Sequence, residues 1–447
     1  MEHFDTIIKN GNVVLPTGVR KLDIGVTNGK FSAVEKDLQN KADRVIHADN
    51  HYIFPGAIDI HVHFNEPGHE DWEGFHTGSA MLGAGGCTTY FDMPLNGIPS
   101  TVTVDALKQK AEIAENKSLI DFGLWGGLVP GNLEEIHHLA QKGVIGFKAF
   151  LSPSGNEAFE HVDDAILLKG MKRIAETGKI LALHSESTAI IKFLEGEITG
   201  DDAASFAATR PIEAEAEAVQ RALSFAKITN CPLHFVHISS AQSVQIITKA
   251  KQQGMDVTLE TCPHYLLCTM SDLETKGAAA KCAPPLRDER ENRRLIESLL
   301  EDKIDMITSD HSPCPPELKD PANFSLRKAW GGINGGQFTL LSMIELAIKH
   351  DIPFERIAKW TASNPAKRFH LADKGEIRVG MDADLAIISL DQAHTVTAEN
   401  LFSRHKQSLY MDHTFPCRII GTINRGTPIY QADKDTKNTG KGKWLRG

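Results

Sequence analysis

Eight short apolar segments, each followed by a turn and a helical pattern, constrain the fold of this chain more than any other feature. Residues 105–117, 164–178, 212–229 and 240–254 carry apolar side chains at three- and four-residue spacing, which is typical of helices that bury one face. Buried strands that alternate with helices favour a parallel sheet, and eight of them close most economically into a (β/α)8 barrel. The eight apolar segments are residues 58–64, 88–93, 122–128, 146–151, 180–185, 233–239, 256–261 and 305–309.

The two ends of the chain have a different pattern from the middle. Residues 4–34 alternate apolar and polar side chains around Asn-Gly pairs, which is a sequence signal for tight hairpins. Residues 375–390 and 418–431 repeat this hairpin character. The pattern indicates antiparallel strands that pair across the two termini to form one small β-domain.

We therefore predict an α/β protein with three parts. A TIM-like (β/α)8 barrel occupies residues 53–372, and a small β-sandwich domain is built from both chain termini, residues 1–52 and 373–447. The polar composition of residues 434–447 predicts a loosely held tail. An open doubly wound sheet is the alternative fold, but no glycine-rich phosphate loop follows the first apolar segment.

Composition and charge exclude several classes of protein. Lys and Arg total 48 against 58 for Asp and Glu, a net charge of −10, and no basic cluster of the kind that follows phosphates is present. No apolar run approaches the roughly 18 residues of a membrane span, and the first residues show no secretory signal. The seven cysteines include no Cys-X-X-Cys pair, which is typical of reduced thiols. We expect a cytoplasmic protein that acts on a small molecule, with no nucleic-acid or membrane partner.

Side chains that bind metals stand at the ends of the apolar segments with unusual regularity. The first segment ends in His61 and His63, which strand alternation places on the same face. The fifth and sixth segments end in His184 and His237, and Asp310 follows the eighth. Because catalytic groups collect at the carboxyl ends of barrel strands, the sequence predicts that these side chains converge. One histidine at a strand end is usually a satisfied polar residue, so the joint occurrence carries the hypothesis.

Lys148 stands inside the fourth apolar segment, where a bare ammonium group is costly to bury. One interpretation is an ion pair with a carboxylate. The other is that carbon dioxide has carboxylated the amine, which produces a group able to bridge two metals.

The types of ligand indicate which metals fit. Imidazole nitrogens and carboxylate oxygens suit zinc, or neighbours such as cobalt, manganese and nickel, better than calcium or magnesium. We predict two divalent ions, since a pair about 3.5–4 Å apart can hold a bridging hydroxide at neutral pH and polarise the carbonyl that it attacks. Asp310 is the candidate catalytic residue that accepts a proton from this nucleophile and passes it to the leaving nitrogen. Cys262, His264 and Cys268 offer an alternative zinc site, but their spacing lacks the paired knuckles of structural zinc motifs.

These motifs resemble the amidohydrolase superfamily, in particular its cyclic amidase branch, which contains allantoinases, dihydroorotases and hydantoinases. The opening motif FPGAIDIHVHF, the lysine strand GFKAF and the closing motif KGEIRVGMDADLAII carry the resemblance, which spans nearly the whole chain. The resemblance also implies that the protein is a homo-oligomer, namely a tetramer. By the same resemblance the metal ligands are His61, His63 and Asp310 for one ion, His184 and His237 for the other, and carboxylated Lys148 as the bridge.

Within this branch, the segments ETCPHYL, SDHSPCPPELK and KAWGGINGG resemble the allantoinases most closely. Dihydroorotases typically carry an arginine at the second position after the HxH motif to bind the substrate carboxylate, whereas this chain has Asn65. An amide suits the uncharged ring of allantoin better than a guanidinium does. The resemblance also implies substrate contacts at Asn96, Ala283 and Asn334. The expected reaction is hydrolysis of the hydantoin ring of allantoin to allantoate, in purine catabolism.

Two alternatives remain open. A hydantoinase or dihydropyrimidinase would share the metal site and also accept uncharged rings, and a dihydroorotase follows as a further candidate. Some relatives with this fold have lost their metal ligands and act as assembly or signalling proteins. The presence of all six ligands in this chain favours an enzyme.

Overall fold

The computed structural model describes residues 3–434 and 440–447. Strands and helices alternate through most of the chain, so the predicted α/β fold with parallel strands is confirmed. The strands are β1 (Phe4–Leu15), β2 (Gly18–Thr27), β3 (Lys30–Glu35), β4 (Ala42–His47), β5 (Tyr52–Pro55), β6 (Ala57–Val62), β7 (Cys87–Asp92), β8 (Asp121–Leu124), β9 (Gly126–Gly127), β10 (Phe147–Phe150), β11 (Leu181–His184), β12 (Leu233–Phe235), β13 (Val257–Thr261), β14 (Met306–Ile307), β15 (Leu385–Ser389), β16 (His394–Thr395), β17 (Thr414–Phe415), β18 (Arg418–Asn424) and β19 (Thr427–Gln431).

The α-helices lie mainly between the parallel strands. They are α1 (Phe75–Ala84), α2 (Val104–Lys117), α3 (Glu135–Lys142), α4 (Asp164–Thr177), α5 (Thr188–Glu197), α6 (Ala203–Ala208), α7 (Ile212–Thr229), α8 (Ala241–Gln252), α9 (Pro263–Leu267), α10 (Met270–Lys276), α11 (Glu289–Leu300), α12 (Thr339–His350), α13 (Phe354–Ala358) and α14 (Asn364–Arg368). Short 3-10 helices are Gly277–Ala280, Pro316–Leu318 and Gly336–Phe338, and a π-helical turn is Lys359–Ser363.

The parallel strands follow one another in space in the order in which they occur in the chain. β6 to β8 form one sheet and β9 to β14 form another. Only Trp125 separates β8 from β9, and its backbone N–H donates to the Asp92 carbonyl oxygen of β7 at 3.1 Å. His311, just after β14, makes a parallel bridge with Val62 of β6, and the His63 N–H donates to the His311 carbonyl oxygen at 2.8 Å. The last parallel strand therefore lies beside the first. Each predicted apolar segment overlaps one of these strands, with β8 and β9 sharing the third, and β6, β7 and β8 begin one residue before their segments.

Several helices begin where the sequence supplies a capping side chain. Thr103, Asp163, Ser240 and Asp288 each accept a hydrogen bond from the backbone N–H three residues later, at the starts of α2, α4, α8 and α11. The four predicted helical segments correspond to α2, α4, α7 and α8, with ends that differ by at most two residues. In the described part of the chain, we find no helix with the length and apolar character needed to cross a membrane.

Both chain ends contribute to one eight-stranded sheet. β1 pairs with β2 in antiparallel and with β4 and β5 in parallel fashion. β5 then pairs with β15, which leads through β18 to β19. N-terminal and C-terminal strands thus meet between β5 and β15, where Ile53 lies opposite Ile387. The segment predicted as a hairpin at residues 375–390 contributes one strand, β15, because the residues before it turn to bring Asp382 and Asp384 to Lys374.

The prediction of a loosely held tail is wrong for residues 440–447. The Lys443 carbonyl oxygen accepts from the Phe122 N–H at 3.0 Å, and the Leu445 N–H donates to the Phe122 carbonyl oxygen at 2.7 Å. Trp444 thereby bridges to β8 as an added parallel partner. A polar composition did not indicate this contact because the backbone, not the side chains, makes it. Residues 435–439 lie outside the described residues.

A buried ion cluster joins the parallel strands to the terminal sheet. Lys374 Nζ lies 2.7 Å from Asp121 Oδ2 at the start of β8 and 2.6 Å from Asp384 Oδ2 just before β15. All three side chains are at most 5% exposed. Burial alone would lower the pKa of Lys374, but Asp384 and Asp121 raise it above its usual value. The lysine is therefore charged, and it offsets two buried carboxylates from different parts of the fold.

Replacing Lys374 by Met should destabilise the protein by about 3–5 kcal/mol, because the substitution leaves the buried Asp384 carboxylate without its cation. The midpoint of unfolding in urea, followed by circular dichroism, measures this effect. Lys108→Met is the matched control, since Lys108 forms only an exposed pair with Asp105 and should change the midpoint little. Equal midpoints for the two variants would contradict the role of Lys374.

Candidate metal centre

The first group of ligand-type side chains forms where β6 lies beside the end of β14. His61 is in β6 and His63 follows directly after it, so both rings project to the same side. Asp310, three residues after β14, has a left-handed backbone with φ of 47° that turns its carboxylate toward the two rings. His61 Nε2 lies 3.1 Å, and His63 Nε2 lies 3.3 Å, from Asp310 Oδ1. Three potential ligand atoms therefore meet at one point.

The second group comes from two neighbouring parallel strands. His184 is the last residue of β11, and His237 lies two residues after β12 with φ of 39°. His184 Nδ1 and His237 Nε2 face each other at 2.9 Å. Burial lowers the pKa of both rings, which keeps them neutral near pH 7. Neutral imidazole is the form of histidine that binds metals.

Lys148 of β10 lies close to both groups. It borders the same cavity as His61, His184 and His237. Burial lowers the pKa of all three rings, and the nearby amine lowers it further. The Nζ atom is buried and has no hydrogen-bonding partner among the described residues, so the ion-pair interpretation is not supported. Burial lowers the pKa of this amine to about 8. An unpaired buried amine beside converging ring nitrogens fits a site that holds metal ions.

The group His61, His63 and Asp310 meets the geometric requirement for a metal site, since its ligand atoms lie within 4.8 Å of one another. By contrast, Cys262 and Cys268 form no such group with a histidine in the described part of the chain. The alternative zinc site at these cysteines therefore has no structural support.

A second cluster with suitable spacing contains Asp121, Asp382 and Asp384. Lys374 Nζ already lies within 3.3 Å of a carboxylate oxygen of each. The ammonium group of Lys374 therefore already occupies this cluster. The potential metal ligands that face the cavity are those of the group His61, His63 and Asp310.

Two buried glutamates that the sequence analysis missed lie behind the histidines. Glu260 Oε1 lies 2.5 Å from His61 Nδ1, and Glu186 Oε2 lies 2.8 Å from His184 Nε2. Burial raises the pKa of Glu186, but Arg210 and His184 more than offset this and lower it to about 2. The pKa of Glu260 is likewise held well below its usual value, because its contacts with the His61 and His234 rings outweigh its burial. The available sequence signal was a charged glutamate near the end of a strand that is buried in a parallel sheet.

The two groups face a cavity of about 350 Å³ at the carboxyl ends of the parallel strands. Of the four predicted substrate-binding residues, Asn96 and Ala283 line this cavity. Asn65 and Asn334 are not among the lining residues, and their contacts with substrate stay a prediction. The Asn65 amide donates to the Pro313 carbonyl oxygen at 3.4 Å.

The amide of Asn334 makes hydrogen bonds to another segment of the protein. Its Nδ2 donates to Ser403 Oγ at 2.7 Å and to the carbonyl oxygens of His405 and Gln407 at 3.0 Å each. These contacts tie residues 403–407 to the parallel strands. Sequence position alone did not reveal them, because the partners lie about 70 residues further along the chain.

Two buried lysines hold the cavity loop, defined here as residues 327–332. Lys281 Nζ donates to the Ala329 carbonyl oxygen at 2.6 Å, and Lys319 Nζ donates to the Gly332 carbonyl oxygen at 2.8 Å. Burial lowers the pKa of Lys281 to about 7 and that of Lys319 to about 8. Both Nζ atoms use backbone carbonyls as partners, and Lys281 itself lines the cavity. The loop that borders the cavity is thus held by hydrogen bonds from two buried lysine side chains.

Comparisons with known proteins agree with this geometry. Residues 52–429 match the amidohydrolase family. An allantoinase from Bacillus velezensis is 56% identical over 440 residues, covering 98% of this chain and 96% of that protein. An allantoinase from Deinococcus radiodurans is 42% identical over 446 residues, covering 99% and 98% of the two chains.

Solved structures of the same family have a similar fold. An L-hydantoinase (dihydropyrimidinase) from Arthrobacter aurescens superposes with a TM-score of 0.96 at 34% identity, over 99% of this chain and 100% of that chain. A dihydropyrimidinase from Brevibacillus agri superposes with a TM-score of 0.90 at 26% identity, over 99% and 98% of the two chains. With a family match over most of its length and close relatives along nearly all of it, the chain belongs to the amidohydrolase family.

Proposed function

We propose that this protein is a metal-dependent cyclic amidohydrolase that opens the hydantoin ring of allantoin to give allantoate, in purine catabolism. The observation that carries the proposal is the convergence of two ligand groups and the unpaired Lys148 amine on one cavity. The choice of allantoin rests on relatives named allantoinase that match nearly the full length of the chain. A hydantoinase or dihydropyrimidinase is the second candidate, because the similar solved structures carry those names.

The fold that we propose for this function is a closed (β/α)8 barrel at residues 53–372. The sequential order of β6 to β14 and the bridge between His311 and Val62 support closure. We propose that residues 1–52 and 373–447 form the β-sandwich domain, with support from the strand pairing between β5 and β15. Active sites of such barrels lie at the carboxyl ends of the strands, where the cavity is found.

We further propose a cytoplasmic location and a homotetramer. Seven free cysteines suit a reducing compartment. The tetramer rests on resemblance to the family, and light scattering on the purified protein would test it.

This site would hold two divalent ions, and zinc is the first candidate. His61 Nε2, His63 Nε2 and Asp310 would bind one ion, and His184 Nδ1 and His237 Nε2 would bind the other. We propose that Lys148 is carboxylated by carbon dioxide and bridges them. A carboxylated amine would be an anionic ligand, so the group buried here would be paired with the bound cations and would no longer lack a partner. When bound, such ions would supply a hydroxide nucleophile at neutral pH and polarise the ring carbonyl.

The residues of the chain then have separate tasks. Water adds to the ring carbonyl that adjoins the ureido-bearing carbon, and the ring C–N bond breaks. Despite its burial, the pKa of Asp310 lies well below its usual value, because the His61 ring and the other nearby histidines favour its charged form. Asp310 is therefore ionised, and its position beside His61 and His63 makes it the residue proposed to accept the proton of the attacking water. Returning that proton to the leaving nitrogen completes the ureido acid. Asn96 and Ala283 line the cavity in which the ring would be oriented.

Lys148→Ala should lower both metal content and activity, because it removes the proposed bridge. Wild-type protein should carry about two divalent ions per chain by elemental analysis and lose activity on chelation. Adding a short carboxylic acid to Lys148→Ala should restore part of the activity by replacing the bridging carboxylate. A fully metallated and active Lys148→Ala protein would show that no bridge is needed.

Asp310→Asn should reduce kcat by about 10²–10⁴-fold, since the amide cannot accept the proton. Elemental analysis of the variant distinguishes two causes of low activity. A retained metal content indicates loss of proton transfer, and a reduced metal content indicates loss of a metal ligand. Asp105→Asn, at a carboxylate whose side chain is 93% exposed, is the control and should retain wild-type kcat. Turnover of Asp310→Asn within threefold of wild type would exclude the catalytic role.

Allantoin should have the highest kcat/KM among allantoin, hydantoin, dihydrouracil and dihydroorotate. Neutral rings of similar size are expected to differ modestly. Dihydroorotate is expected to be a poor substrate because this chain has Asn65 at the position where dihydroorotases typically use an arginine to bind the substrate carboxylate. Steady-state kinetics on the four rings with the metal-loaded protein measures this order. Efficient hydrolysis of hydantoin or dihydrouracil without allantoin turnover would favour the second candidate function.

A further inference from the structure

A buried hydrogen-bond chain extends behind His61 across neighbouring strands. Glu260 of β13 contacts His61 Nδ1 through Oε1 at 2.5 Å and His234 Nε2 through Oε2 at 3.0 Å. Its Oε1 also accepts a long hydrogen bond of 3.4 Å from the backbone N–H of His237, which does not involve the His237 ring. His234 Nδ1 in turn lies 2.9 Å from Thr258 Oγ1. Glu260 and His234 are both 0% exposed. Neither lines the cavity, so the chain lies beneath the site and not in it.

The direction of each hydrogen bond follows from the carboxylate. An ionised carboxylate only accepts, so both ring nitrogens that face Glu260 must carry hydrogen. His61 is therefore protonated on Nδ1, and its Nε2 is left with a free lone pair that points toward Asp310 Oδ1 at 3.1 Å. For His234 the remaining nitrogen, Nδ1, accepts from the Thr258 hydroxyl. One carboxylate thus sets the tautomers of two histidines.

The second ligand group has its own support. Glu186 Oε2 accepts from His184 Nε2 at 2.8 Å and from Arg210 at 2.5 Å. The free lone pair of His184 is then on Nδ1, which faces His237 Nε2 at 2.9 Å. His61 and His184 are therefore held with opposite ring nitrogens directed into the site.

We propose that Glu260 and Glu186 are positioning residues, each of which orients the histidine of one metal ion: Glu260 sets His61 to bind through Nε2, and Glu186 sets His184 to bind through Nδ1. This inference rests on the metal centre of the proposed function. A hydrogen-bonded carboxylate behind a ligating histidine fixes its tautomer and raises its basicity, and its loss typically lowers metal affinity about 10- to 100-fold.

Cobalt binding to the metal-free full-length protein tests the assignment without reference to any substrate. Wild-type protein should bind two Co²⁺ ions per chain, measured by titration of the visible absorption and by elemental analysis after dialysis. Glu260→Ala and Glu186→Ala should each retain one tightly bound ion and bind the other about 10- to 100-fold more weakly. The visible spectra of the two variants should differ from each other, because different ions remain.

Glutamine variants distinguish an effect on the orientation of the histidine rings from a simple loss of packing. In Glu260→Gln the amide oxygen can still accept from His61, while the amide N–H can donate to His234 in its other tautomer, with Thr258 as acceptor. Glu260→Gln and Glu186→Gln should therefore recover most of the cobalt affinity that the Ala variants lose. Because they preserve volume, they also test the proposal if an Ala variant does not fold.

Glu291→Ala is the matched control. Glu291 is a buried carboxylate that accepts from the Ala241 N–H at 2.6 Å and contacts none of the proposed ligands. Its loss should lower the melting temperature yet leave two cobalt ions and the wild-type spectrum.

Two outcomes would overturn the inference while the metal centre stands. They are wild-type affinity for both ions in Glu260→Ala and Glu186→Ala, or identical spectra and identical losses in the two variants. Failure of wild-type protein to bind cobalt at all would instead contradict the proposed metal centre on which the inference rests.

Discussion

The buried amine of Lys148 is the constraint on which the candidate site depends. An amine that is shielded from water and lacks a hydrogen-bonding partner is costly, and the cost is accepted here at the point where two groups of ligand-type side chains meet. Strand register fixes the place of this amine, because parallel pairing of β10 with β11 sets Lys148 opposite Ala182 and Phe150 opposite His184. The amine and the His184 ring therefore come from neighbouring strands and border the same cavity. Carboxylation and metal binding would convert this cost into ligand interactions.

The same constraint explains the acidic residues that lie behind the histidines. Buried imidazoles facing one another need fixed tautomers, since a ring with the wrong nitrogen protonated would direct an N–H at its neighbour. Glu260 and Glu186 supply that order with no solvent exposure of their own. Each also has a hydrogen-bonding partner outside the ligand set, His234 for Glu260 and Arg210 for Glu186. The polar contacts of the site thus extend over a larger region than the ligands themselves occupy.

Buried lysines recur as structural devices elsewhere in the protein, and their partners decide their roles. Lys374 is surrounded by carboxylates and joins the parallel strands to the terminal sheet. Lys281 and Lys319 instead donate to backbone carbonyls and fix the cavity loop. Lys148 has neither kind of partner among the described residues, and it is the one that lies beside the metal-type ligands. Partner chemistry, rather than burial, distinguishes a structural lysine from a functional one.

The sequence by itself determined the alternation of strands and helices and the set of ligand-type residues, since hydrophobic periodicity and strand ends are local properties. It could not show that Glu260 would face His61, which lies 199 residues away, or that Asn65 would turn to Pro313 while Asn96 lines the cavity. Both asparagines follow parallel strands, and both have left-handed backbones, with φ of 63° and 68°. Only the tertiary structure separated them, because the direction of a side chain beyond a strand end is set by contacts with distant segments and not by the local sequence.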